Sequence, residues 1–160
     1  MPHIPDGTPM ELGEPLPWRP SLWDRIRGRG REPEVTFTCI RAFGWLSAEH
    51  TFPTGKVPAG LLETLEEAAR ERVWGIRCYY TSDFAPGKPM PLIYRSTNGT
   101  LRLGDAGLLV VDDEGQPWVA PNLVLHYVRD LGYLPPFTPH LPSWEMLAAV
   151  RRLDSPPPCK

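Results

Sequence analysis

The sequence predicts an α+β domain: a mainly antiparallel sheet of about five strands, packed by two or three helices, with proline-rich extended termini. Three observations lead there. Short runs of strand-forming residues lie between turn residues over 35–40, 76–80 and 92–120. Apolar residues recur at helical spacing near 58–73, 121–131 and 143–153. Many of the 21 prolines lie at 1–20, 135–142 and 156–158, where neither period is present.

Residues 91–136 organise the chain. Leu92-Ile93-Tyr94-Arg95 and Thr100-Leu101-Arg102-Leu103 flank Ser96-Thr97-Asn98-Gly99. Asn98-Gly99 tolerates positive φ and predicts a tight hairpin turn there. Gly104 to Gly107 makes another turn. The continuous apolar run 108–111 suits a strand covered on both faces. Asp112-Asp113-Glu114-Gly115 turns the chain again, and Trp118-Val119-Ala120 returns. Pro121 is expected at the start of a helix, where a missing N–H costs nothing. Leu123, Val124, Tyr127, Val128 and Leu131 give that helix an apolar face. Gly132 fits its left-handed end, and Pro135-Pro136 prevents continuation.

The other elements follow in chain order. Residues 1–20 are expected to be irregular, and Ser21 to cap a short helix over 22–27. In 35–40, Val35, Phe37 and Cys39 are assigned to the core side, with Cys39 a small core residue. A surface helix over 58–73 buries Leu61, Leu62, Leu65, Ala68, Ala69 and Val73. Its glutamates and arginines are read as solvated, with Glu66 and Arg70 favourably placed. Gly75 ends it, a strand occupies 76–80, and a loop covers 81–91. Ser143 caps the last helix, 144–153, whose Glu145 and Arg151 suit its dipole. The expected organisation is an N-terminal arm with a short helix (1–34), a single α+β domain (35–153) and a flexible tail (154–160).

Composition bounds the function. Net charge is −2 with no long basic block, which argues against nucleic-acid binding. No apolar run approaches the ~20 residues of a membrane-spanning helix, and no secretory signal is visible. Three cysteines, Cys39, Cys78 and Cys159, make a poor disulfide framework and fit a reducing cytoplasm.

Several segments taken together resemble a family of small, uncharacterised bacterial domains. They are Gly44-Trp45-Leu46 with Pro53-Thr54-Gly55-Lys56-Val57-Pro58, then Arg77-Cys78, then Asn98-Gly99-Thr100-Leu101-Arg102-Leu103. Ala120-Pro121-Asn122-Leu123-Val124-Leu125-His126-Tyr127-Val128 and Gly132-Tyr133-Leu134-Pro135-Pro136 complete the set. The resemblance covers roughly 43–137 and implies no activity. Related sequences often carry Cys-x-x-Cys near the middle strand. Here Tyr79, Tyr80 and Thr81 follow Cys78, so the second cysteine is missing. Leu131 stands where a histidine is usual.

Candidate chemistry is sparse. Cys39, Cys78, His50 and His126 could bind metal, but they lack the close pairs of a zinc site, so no metal and no cofactor is expected. Cys78 and His126 could form a thiolate–imidazole pair oriented by Asp105 or Asp130, provided they meet in space. The turn 104–107 lacks the lysine and helix of a phosphate loop. The turn 112–114 is too short for a calcium loop. Surface recognition remains. Trp18 and Trp23, with Arg25 beside them, are expected as interface anchors, and Asp83, Asp112, Asp113 and Glu114 as further contact surface. The function expected from this is a non-enzymatic protein-binding domain, an immunity or inhibitor protein against a toxin or effector. The alternative is a small Cys/His-dependent enzyme or metal-linked sensor.

Overall fold

The computed structural model describes residues 3–17, 36–75 and 79–153. Its elements run β1 (Pro9–Pro17), β2 (Thr36–Ala42), α1 (Leu61–Arg70), β3 (Leu92–Ser96), β4 (Gly99–Leu103), β5 (Gly107–Val111), β6 (Pro117–Pro121), α2 (Val124–Leu131) and α3 (Trp144–Arg151). The fold is α+β. Four strands form a mixed sheet in the order β1-β2-β6-β5, and β3-β4 forms a separate hairpin. The β1–β2, β5–β6 and β3–β4 pairs are antiparallel; β2–β6 is parallel.

The central strands are apolar on both faces because the sheet is covered on both. Leu108, Val110 and Ala120 join Leu65, Leu125 and Val128 in one core, beneath α1 and α2. Leu109 and Val119 join Ile40, Trp45, Val73 and the α3 residues Met146, Leu147 and Val150 in the other. The continuous run of β5 therefore has the two-sided burial expected of it.

Several expectations change. Residues 9–17, read as irregular, form β1: Pro9 pairs with Arg41 and Pro17 with Thr36, across a register shift that absorbs the prolines. In β2 the core side is the other one. Ile40 and Ala42 are fully buried, whereas Cys39 is half-buried, free, and not a core residue. Ile40 and Ala42 pack in the cluster under α3, while pairing with β6 sets Arg41 beside Trp118, its guanidinium 5.6 Å from the ring.

The helix expected over 58–73 spans 61–70. Gly60 precedes it at φ 84 with no side-chain cap, and Val73 leaves the helix to bridge Gly107. Glu66 is not paired with Arg70 but accepts the Tyr94 hydroxyl at 2.7 Å. Pro121 ends β6 rather than starting a helix, and α2 begins at Val124. Ser96 pairs with Gly99, so the hairpin turn is Thr97-Asn98. Gly99 alone takes positive φ there.

Gly132 closes α2 at φ 68, and the Ser143 hydroxyl caps α3 by accepting from the Met146 amide, both as expected. Tyr79 and Tyr80 lie in no strand; the rest of 76–80, the helix at 22–27 and the tail 154–160 fall outside the described residues.

Candidate docking site

After Gly132 the chain cannot resume a helix, because Pro135, Pro136, Pro139 and Pro142 interrupt it. It runs instead as an irregular strap over 133–142. Tyr133 anchors its start. Its ring is fully buried, and its hydroxyl donates to Asp6 Oδ2 at 2.8 Å, while Asp6 Oδ1 accepts the Gly44 amide. Burial, reinforced by the Asp6 charge, pushes the Tyr133 hydroxyl strongly up. Leu134 then donates its amide to Pro53 O. Phe137 stacks on Trp118 with centroids 4.2 Å apart and meets Phe43 edge-on at 5.2 Å. His140 exchanges two backbone hydrogen bonds with Val111 on β5, at 2.8 and 2.9 Å.

The anchored strap leaves a groove between itself and the start of α1. Its cavity is about 540 Å³, lined by Pro58, Leu61 and Thr64 on one side and Leu134, Phe137 and His140 on the other. That volume lies in the range of ligand and peptide pockets. A smaller cavity of about 110 Å³ follows along the same helix, between Glu67, Ala68 and Glu71 and Leu141 and Leu147. Leu141, in its lining, is 50% exposed, and Trp144, at the start of α3, is 63% exposed.

The acidic turn stands at the strap's His140. Asp113 Oδ1 is 2.6 Å from His140 Nε2, and both side chains are exposed. Glu114 is exposed as well. Asp112 is used by the fold. Its Oδ1 accepts the Glu114 and Gln116 amides, and its Oδ2 accepts Trp118 Nε1 at 2.9 Å. Partial burial works to raise the Asp112 carboxyl. The bonds from Trp118, Gln116 and Glu114 outweigh it, and they hold the carboxyl below the usual aspartate range. Asp83 lies on the loop after Tyr80, where its Oδ2 accepts the Ala48 amide at 3.3 Å. Trp18, Trp23, Arg25 and Cys78 lie outside the described residues.

His126 sits on α2, away from the groove. Its ring is largely buried, and Nδ1 is 2.6 Å from Asp130 Oδ2, one turn on. Asp105 does not orient it: that carboxylate contacts Arg72 at 3.0 Å and Asn122 at 3.3 Å. Arg129 binds the other Asp130 oxygen at 3.0 Å and lies 4.0 Å over the Tyr94 ring, whose hydroxyl reaches Glu66. Burial would raise the Asp130 carboxyl, but Arg129 and His126 hold it below its ordinary range. Burial, then the Glu66 carboxylate, pushes the Tyr94 hydroxyl up to about 12. His126 Nε2 is buried and has no hydrogen-bond partner among the described residues.

The model of the family described as Domain of unknown function (DUF7919) matches residues 2–139. The chain belongs to this family. The family domain thus takes in α1, α2 and the strap as far as Pro139, and stops one residue short of His140; α3 lies beyond it. No curated protein and no solved structure matches the chain. Among the described residues, no group of three or more His, Cys, Asp or Glu could hold a metal ion, and no helix is long and apolar enough to cross a membrane.

The sequence reading missed the groove. Its walls are some 75 positions apart, and no local pattern joins them. One signal was present: Phe137 is a large aromatic directly after two prolines, in a segment otherwise read as irregular.

Proposed function

We propose that this chain is a protein-binding domain, and that it works by occupying a partner rather than by catalysis. The observation that carries this reading is the apolar groove between the strap and α1, with Leu141 and Trp144 exposed beyond it and Asp113 and Glu114 near its His140 end. An apolar cleft with a polar rim suits an anchor residue of another protein. We take the partner to be a bacterial toxin or effector in the cytoplasm, with the domain as its immunity or inhibitor protein. Neutralisation by occupancy asks for such a surface and for no reactive group.

The test compares the tagged full chain with its Leu141→Glu/Trp144→Ala variant, each purified under native conditions from the host. The reading expects one stoichiometric protein that is retained by the first and lost from the second. That protein, expressed alone, should arrest growth, and the chain should restore it. Equal retention by both, or by neither, contradicts the docking surface; a retained but harmless partner contradicts the immunity role alone.

A second reading rests on His126. An imidazole oriented by a carboxylate, with its other nitrogen unpartnered, is half of a Cys/His pair, and Cys78 is the candidate thiol. It expects Cys78 to react rapidly with a thiol reagent at neutral pH and to slow in His126→Asn. A slow reaction in the parent chain removes it.

A further inference from the structure

The groove's two cavities differ in character, and the difference names what would fill them. The larger, by Leu61 and Phe137, has no carboxylate in its lining; the smaller, otherwise lined by Ala68, Leu109, Leu141, Pro142 and Leu147, carries Glu67 and Glu71. Glu63 and Glu67 on α1 and Glu71 just after its end stand four apart, all exposed, a spacing at which like charges disfavour the helix. Two arginines offset them in part. Arg151 binds Glu71 at 2.9 Å, but Arg70 reaches Glu67 only at 3.7 Å and gives its closer contact, 2.9 Å, to Ser96. Glu67 therefore has room for a second cation.

Resting on the docking reading above, we propose that the groove takes an extended segment of the partner that carries an apolar anchor and, three residues away, a lysine or arginine. From Leu61 to Glu67 is six helical residues, ~9 Å along the axis. A polyproline-II chain rises about 3.1 Å per residue and repeats every three. An anchor seated at Leu61 and Phe137 thus brings the side chain three positions on to the same wall, opposite Glu67. Aromatic-lined grooves favour that conformation because the segment is already extended and loses little entropy on binding.

The experiment uses the full chain and labelled proline-containing peptides, with binding read by fluorescence anisotropy. The set carries Leu or Phe with Lys three residues after it or three before it, and the same peptides with Glu or Ala in place of Lys. The proposal expects the Lys peptides in one of the two orders to bind, and Glu in that position to weaken them at least tenfold. Glu67→Lys should reverse the preference, and because Glu67 is exposed, circular dichroism should show an unchanged fold.

Binding that depends on the anchor but ignores charge would overturn the inference and leave the docking surface standing. Absence of any peptide binding up to millimolar concentration, in a chain whose native partner still cross-links at the groove, would overturn it too. Tighter peptide binding in Lys160→Glu would make the chain's own end the occupant, and a dimer lost in Glu67→Lys would make it a second copy. Either result replaces the proposal.

Discussion

Two histidines each hold an aspartate at 2.6 Å, and the two pairs do different work. His126–Asp130 is embedded: the His126 side chain is 10% exposed, and Arg129, Tyr94 and Glu66 extend the contact from α2 to the hairpin and α1. His140–Asp113 is open, the His140 side chain being 51% exposed, on a groove that its own strap creates. A short contact is therefore no guide to role by itself. What separates the pairs is whether both carboxylate oxygens are already held, as Asp130's are by His126 and Arg129, or the pair leaves a face for another molecule, as along the strap.

That contrast breaks first at Phe137, the residue that holds the open region in shape. Phe137→Ala removes both ring contacts and is expected to cost about 3 kcal/mol, with loss of partner binding, as measured by urea denaturation and pull-down. A smaller effect belongs to the embedded pair. His126→Ala should cost roughly 2 kcal/mol through lost packing and the Asp130 hydrogen bond. His140→Ala, at an exposed ion pair, should stay below about 1 kcal/mol. Equal costs for the two histidines would contradict the distinction drawn between them.

Acid sharpens the same comparison. The folded Asp130 and Asp112 carboxyls lie below their ordinary range, so the unfolded chain binds protons first as pH falls. Their contribution is whole above the ordinary aspartate value of about 3.9 and is lost below it, toward the folded values. Urea midpoints should therefore drop in that acid window, and less steeply in Asp112→Asn. The smallest expected effect on stability is Asp113→Asn, within about 0.5 kcal/mol, as for any exposed surface change. Its neighbour Asp112 holds two turn amides and the Trp118 indole, and Asp112→Ala should cost roughly 2 kcal/mol.

How much of this was legible in the sequence follows from the range of the interactions. The hairpin, the Gly132 stop and the Ser143 cap depend on neighbours within a few residues, and the apolar run of β5 shows its two-sided burial in its own residues, so each was readable. The phase of β2 was not. Val35, Phe37 and Cys39 alternate like a core face, but the buried side is set by packing against Met146, Leu147 and Val150 of α3, more than 100 positions on. Strand β1 was hidden by its prolines, whose missing donors argue against a strand until an edge position and a register shift accommodate them.

Site residues divide in the same way. Asp112 and Asp113 looked alike as neighbours in one acidic turn; only the reach of the Trp118 indole and of His140 tells them apart. Asp130 was visible as a helical partner four residues from His126, whereas Glu66, Tyr94 and Arg129 come from three elements and join only in the folded chain.

The central claim is that the face between the strap and α1 receives a protein. A photo-crosslinking residue introduced at Thr138, on the groove, and separately at Thr97, on the exposed hairpin tip, tests it most directly in the host cell. One protein should be captured from Thr138 and be absent from Thr97. Capture of that protein from Thr97 instead, or equally from both, would contradict it.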